Sequence, residues 1–348
     1  MREADGLEMK TESGLLVEGA MGTVANNYFQ GALEERKRLL SAAIAETAAD
    51  DRLTSLLGEV DAALRRLAAG TFGLCEECHD TVEQDRLIAD PLVRFCLDHL
   101  TVKERRELEA DLEQAGELQR SLLPARDRRA AGWHVHYHYQ PAGPVSGDYC
   151  DVILEEGGNG GVFFLVGDVA GKGVSACLLM TQLHGMFRSL ISVRMPLADL
   201  LGAANRLLCE TATAGQYATL VCGRSGVDGD VEIASAGHLP VWVGGAGGSR
   251  AISATGLPLG LFRSSTYTTE KFRASAGESV VVYTDGLTEA RDLQGNEYGG
   301  GRVCDFLKGR HALAPEALSA AFLADLRGFC GGRGLTDDLT LMVVRREA

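Results

Sequence analysis

Val162-Phe163-Phe164-Leu165-Val166-Gly167-Asp168 is an apolar run closed by a glycine and an acid. A run this short, rich in β-branched and aromatic residues, reads as a buried strand rather than a helix. The same grammar returns at Val280-Val281-Val282-Tyr283-Thr284-Asp285-Gly286, and in reverse where Asp337-Asp338 precede the strand from Leu339 to Val344. Asp148, in Val145-Ser146-Gly147-Asp148-Tyr149, has similar surroundings. Each acid stands at or near a strand end beside a turn residue, where a rigid element fixes its carboxylate.

Working outward, Trp133, Val135, Tyr137 and Tyr139 alternate with His134, His136 and His138. This period of two predicts a strand whose histidines invite a metal reading but are expected to form one exposed face. Helices are expected over 176–191, 197–212 and 315–329. Further strands are expected over 217–223, 231–236, 241–243, 267–272 and 279–284. Two adjacent helices among strands do not make a βαβ alternation. The pattern is α+β, with antiparallel sheets and helices packed outside them.

One aspartate at a strand end is an ordinary turn or cap residue. Four of them brought together repel unless a cation neutralises them. Hard divalent ions prefer oxygen ligands. Two such ions ~3.5–4 Å apart can lower the pKa of a water and clamp a phosphoryl group for in-line attack.

The motifs carry a resemblance. Leu118-Gln119-Arg120-Ser121-Leu122-Leu123-Pro124 resembles the helix that precedes the catalytic domain in SpoIIE/RsbU-type phosphatases, the bacterial branch of the protein phosphatase 2C superfamily. Val145 to Asp151, Val166-Gly167-Asp168-Val169-Ala170-Gly171-Lys172-Gly173-Val174, Ser235 to Pro240, Gly256 to Gly260, Tyr283 to Ala290 and Thr336 to Thr340 are similar to that family's motifs, in family order. The resemblance implies a four-layer α-β-β-α sandwich over 125–348, two Mn²⁺ or Mg²⁺ ions, and hydrolysis of phosphoserine or phosphothreonine. It implies that Asp168 bridges both ions with help from the Val169 carbonyl. Asp148 completes one shell, with Asp151 as fallback, and Asp285 and Asp337 hold the other, with Asp338 as fallback. Lys172 replaces the histidine of many relatives; it either attracts phosphate or is a solvated turn residue. His238 is expected to brace a strand turn.

The N-terminal third differs. Residues 1–25 read as a disordered tail, and 26–70 as a helical hairpin with Asp50 and Asp51 at its tip. A charged connector helix covers 101–124 and ends at Pro124. Between them, Cys75-Glu76-Glu77-Cys78 and Cys96-Leu97-Asp98-His99 can close a tetrahedral Zn²⁺ site over 71–100. The string from Gly70 to Cys96 resembles the DksA/TraR zinc finger, in which the last ligand is usually cysteine. His99 takes that position here, with His79 as competitor. Cys75 to His79 also fits haem c attachment, which would leave Cys96 and His99 unexplained.

The formal net charge of −14 argues against direct nucleic-acid binding and suits divalent cations. There is no apolar run of ~18 residues and no signal-like start, so a cytoplasmic protein without a membrane span is expected. The resemblance implies a phosphoprotein substrate, usually an anti-sigma-factor antagonist. A homodimer through the helical region is a further expectation. The alternative is a module that binds RNA polymerase through its finger, with a weak or inactive phosphatase domain.

Overall fold

The computed structural model describes residues 13–46, 51–99, 102–155, 161–211 and 215–347. The chain divides into two compact units between Leu108 and Glu109, inside helix α4 (Val102–Leu122).

The larger unit holds two antiparallel sheets. One has strand order β1-β2-β11-β10-β7-β8, from β1 (Asp127–Ala130), β2 (Trp133–Gln140), β7 (Val241–Gly245), β8 (Gly248–Ile252), β10 (Ser279–Tyr283) and β11 (Leu339–Arg346). The other has order β3-β4-β5-β6-β9, from β3 (Tyr149–Glu155), β4 (Gly161–Val169), β5 (Ala218–Gly226), β6 (Asp230–Ala236) and β9 (Glu270–Arg273). Helices α5 (Gly173–Ile191) and α6 (Leu197–Thr211) follow β4; α7 (Asp285–Thr288), α8 (Gly299–Leu307) and α9 (Pro315–Phe329) follow β10.

Three apolar cores separate four layers. Strand β4 shows why its sequence is apolar throughout. Phe163 and Leu165 face α5 and α6, meeting Met180, Leu183 and Leu200. Phe164 and Val166 face the opposite sheet, with Trp133, Val282 and Met342. Successive side chains point to opposite faces, so a strand covered on both sides needs no polar residue. Gly223 makes room for one of them, because a Cβ there would overlap the Phe164 ring. On the far side, Val281, Leu341 and Val343 pack against Phe306, Phe322 and Leu326 of α8 and α9. The expected α-β-β-α sandwich is the fold.

In the smaller unit, α1 (Ser13–Glu46) and α2 (Asp51–Ala68) pack together. Helix α1 begins well inside the stretch expected to be a disordered tail. No proline interrupts 13–25, and glycine costs a helix only ~1 kcal/mol each. Residues 1–12 and the expected tip residue Asp50 lie outside the described residues. Leu33, Val60 and Ala63 of the hairpin share a small core with Leu92. Phe29 meets Phe72 with ring centroids 5.2 Å apart. A six-residue helix, α3 (Gln84–Ala89), contributes Leu87.

Candidate metal centres

The strand-end aspartates come from both sheets to one end of the sandwich. Asp168 is the penultimate residue of β4, and Asp148 immediately precedes β3. Asp285 opens α7 one residue after β10, with Thr284 between them, and Asp337 and Asp338 immediately precede β11. The register brings them together: β10 pairs Tyr283 with Leu341 of β11, and β3 pairs Tyr149 with Gly167 of β4. Gly286 permits the closest approach, since a Cβ there would overlap the Asp338 carbonyl.

Asp148 is 1% exposed. Its Oδ2 accepts hydrogen bonds from the Thr284 hydroxyl at 2.8 Å and the Thr340 hydroxyl at 2.6 Å. Its Oδ1 is buried with no partner in the protein. A buried carboxylate oxygen without a donor is costly, and a cation or its water is the group it fits. Burial raises the Asp148 carboxyl well above its ordinary value, against the pull of the Thr340 hydroxyl; the charge of Asp168 adds to the rise. Burial, then the charges of Asp285, Asp337 and Asp338, push Asp168 up to about 7. Asp285 is raised by burial, Glu289 and Asp337. Carboxylates held this way resist ionising together, and divalent cations remove the conflict.

The two acids before β11 do different things. Both Asp338 oxygens accept backbone N–H groups, from Ala142 at 2.7 Å and Gly147 at 2.8 Å. Asp338 thereby ties down the loop that carries Asp148. Asp337 instead faces Lys172, whose ammonium lies 2.9 Å from Oδ2 and also donates to the Thr336 carbonyl at 3.2 Å. Lys172 is thus neither free nor merely solvated. Asp151, the fallback for Asp148, is fully buried in a different contact, with Arg188 of α5 at 2.7 Å. Its oxygens are taken by Arg188 and the Val152 N–H, and this removes it from the ligand set.

His238 braces the site as expected. Burial brings its imidazole down to about 4, so it is neutral. Its Nε2 donates to the Tyr283 carbonyl at 3.0 Å, and its Nδ1 accepts from the Thr219 hydroxyl at 2.8 Å. Thr219 pairs in register with Asp168. Thr284, Thr340 and Gln119 were not foreseen. Gln119 is 4% exposed and bonds both backbone groups of Ser146, whose hydroxyl accepts the Asp148 N–H. Only Thr340, set between Leu339 and Leu341, carried a sequence signal of its own, a polar residue between apolar neighbours.

The second centre is in the smaller unit. The ligand atoms of Cys75, Cys78, Cys96 and His99 all lie within 4.8 Å of one another. Cys78 and Cys96 sulfurs are 3.7 Å apart, against roughly 3.8 Å for two thiolates on a tetrahedral Zn²⁺. The Cys96 sulfur lies 3.2 Å from His99 Nδ1. His79 stands outside the cluster. It is exposed, with φ 59°, and its N–H donates to the Cys75 carbonyl in the turn that closes the first ligand pair. Burial opposes ionisation of Cys75, but backbone N–H groups of Cys78, Cys96 and Glu77 outweigh it and bring the thiol down to about 6. The four residues fit zinc.

The histidine face of β2 differs from the expectation of an exposed strand. Helix α9 packs across it, and His134 is only 2% exposed.

Comparison with known proteins finds relatives of both units. The prokaryotic dksA/traR C4-type zinc finger family matches residues 70–98. Protein IcfG of Synechocystis sp. is 27% identical over 270 residues, 68% of this chain and 42% of that protein. Phosphoserine phosphatase RsbU of Bacillus subtilis is 25% identical over 202 residues, 57% of this chain and 59% of that protein. The chain therefore spans about half the length of the curated relatives it matches. The SiaA-PP2C domain of Pseudomonas aeruginosa shares the fold, with a TM-score of 0.61 at 20% identity over 70% of this chain and 99% of that one. The Stage II sporulation protein E (SpoIIE) family matches residues 158–347, more than half of the 348-residue chain, and the chain belongs to that family.

Proposed function

We propose that this chain is a metal-dependent protein serine/threonine phosphatase. The reading rests on one observation above all: Asp148, Asp168, Asp285 and Asp337 converge from both sheets, with an orphaned buried oxygen on Asp148. Asp168, helped by the Val169 carbonyl, would hold both ions. Asp148 would complete one shell, and Asp285 and Asp337 the other. Asp338 positions the loop and is not a ligand. A pair of Mg²⁺ or Mn²⁺ ions supplies charge neutralisation and an activated water when bound. Lys172 releases Asp337 and is then free to attract a phosphate oxygen at the site rim. A phosphorylated anti-sigma-factor antagonist is the proposed substrate class, and the cytoplasm the proposed compartment. The relative named a phosphoserine phosphatase supports serine. Domains run as the motifs divide them: a hairpin, a structural zinc finger over 71–100, a connector and the catalytic sandwich.

The test is Mn²⁺-dependent hydrolysis of a phosphoserine protein. Changes to residues behind metal ligands cost ~10–100-fold, so Asp168→Asn and Asp285→Asn should each cost more than ~100-fold. Asp337→Asn should raise the Mn²⁺ requirement, whereas Asp338→Asn should lower stability first. Full activity in Asp168→Asn and Asp285→Asn sinks the proposal.

A further inference from the structure

His134-Val135-His136 places two imidazoles on one face of β2. The register sets Asp127, the first residue of β1, opposite His136. Helix α9 brings Glu316, its second residue, over the same face. His134 Nε2 lies 2.9 Å from Asp127 Oδ2 and 3.6 Å from Glu316 Oε2. The three ligand atoms all lie within 4.8 Å of one another. His136 Nδ1 is 3.4 Å from the same Asp127 oxygen.

Two carboxylates thus converge on one ring nitrogen. A nitrogen carries at most one proton, and Asp127 stands where that proton would be used. Glu316, at 3.6 Å, is beyond a good hydrogen bond to the same nitrogen. A cation can serve both carboxylates and the imidazole together. Ligands ~2.0–2.1 Å from a tetrahedral ion lie roughly 3.3 Å from one another, and the two separations from His134 Nε2, 2.9 Å and 3.6 Å, bracket that value. Two carboxylates balance the charge of a divalent ion. Imidazole with carboxylate suits zinc and its neighbours better than Mg²⁺. Asp127 and Glu316 are each 48% exposed, which leaves an entry path, while the ring of His134 is 2% exposed and fixed.

We propose that Asp127, His134 and Glu316 bind a zinc-class divalent ion at a third metal site. It is separate from the phosphatase centre. His134 and Gln140 lie toward opposite ends of β2, and Gln140 pairs with Leu339, next to Asp338. Six residues of strand at ~3.3 Å each separate the two by ~20 Å. The ion joins the β1–β2 hairpin to the start of α9, an element distant in sequence. It would staple β1, the first strand after α4, and the start of α9 to the edge of the sheet.

Zinc counting on the full chain tests this. The metal-free protein is reloaded with Zn²⁺ in excess Mg²⁺, which keeps the phosphatase aspartates occupied, and bound zinc is measured after gel filtration. Asp127→Asn and Glu316→Gln, both at half-exposed positions, should each hold one equivalent less than the unaltered chain. The Cys75→Ser, Cys78→Ser protein should lose a different equivalent. Reloading with Co²⁺ distinguishes them, since only the cysteine site gives a thiolate charge-transfer band. The zinc-dependent rise in melting temperature of the larger unit should vanish in Glu316→Gln and survive in the cysteine variant. An unchanged zinc count in both Asp127→Asn and Glu316→Gln overturns the site, as does an undiminished melting shift in Glu316→Gln.

Discussion

Thr284 makes two hydrogen bonds through one hydroxyl. It donates to Asp148 Oδ2 and accepts the Thr340 N–H at 2.9 Å, while Thr340 donates its own hydroxyl to the same carboxylate oxygen. Both threonines are fully buried. The pair therefore aims one oxygen of Asp148 and leaves the other for a cation. Thr284→Val keeps the shape and removes the hydroxyl. It leaves the Thr340 N–H buried without an acceptor, which costs ~1–3 kcal/mol. It also frees the carboxylate to turn, and partners behind metal ligands are worth ~10–100-fold in metal affinity or activity. Phosphatase rate against Mn²⁺ concentration should show the half-saturating Mn²⁺ rising in Thr284→Val and returning in Thr284→Ser. A merely structural role would lower thermal stability in Thr284→Val and leave the Mn²⁺ curve in place.

Among elements, the last turns of α4 are the ones that reach the site. Gln119 is on the helix, and its amide bonds Ser146 N–H and C=O, two residues from Asp148. Gln119→Ala strands both backbone groups in a buried setting. The expected result is a rise in the Mn²⁺ requirement with little change in far-ultraviolet circular dichroism. An unaltered requirement would show that α4 merely abuts the domain. This contact was illegible in the sequence, although Gln119 was inside a motif, because a glutamine on a charged helix usually faces water. Strands covered on both faces were legible, and β4, β10 and β11 lie where their apolar runs predict. Helix α9 matches its expected bounds, with Pro315 at its first turn. Strands β1 and β8 were missed because Asp127-Arg128-Arg129-Ala130 and Gly248 to Ile252 pair at sheet edges, where backbone bonds rather than apolar burial define a strand. Strand β9 begins at Glu270, after the expected start at Tyr267, which is buried without belonging to the sheet. The aspartates were readable from local grammar, but which acid before β11 is open to a cation depends on the distant N–H groups of Ala142 and Gly147.

For the whole molecule, the two units draw stability from different sources. The larger has three extensive apolar cores, none of which includes a side chain proposed as a metal ligand. The smaller rests on two short clusters, and Cys75 and Cys96 are themselves members of one of them. A core of that size is marginal unless a metal adds to it. Without zinc, three sulfur-bearing groups and His99 crowd together with nothing to bind them, and folding of that unit is expected to fail. The Cys75→Ser, Cys78→Ser chain should therefore lose helical signal and its protection from proteolysis before residue 109, while the larger unit keeps its melting transition. Hydrolysis of a short phosphoserine peptide in Mn²⁺ should persist, since every proposed catalytic ligand lies beyond residue 109. A change in oligomeric state, or in turnover of a whole protein substrate, would then report what the finger contributes through α4. If the variant retains the native proteolysis pattern of the first unit, zinc is not what holds it. If it also retains the native oligomeric state and turnover, the finger contributes to neither.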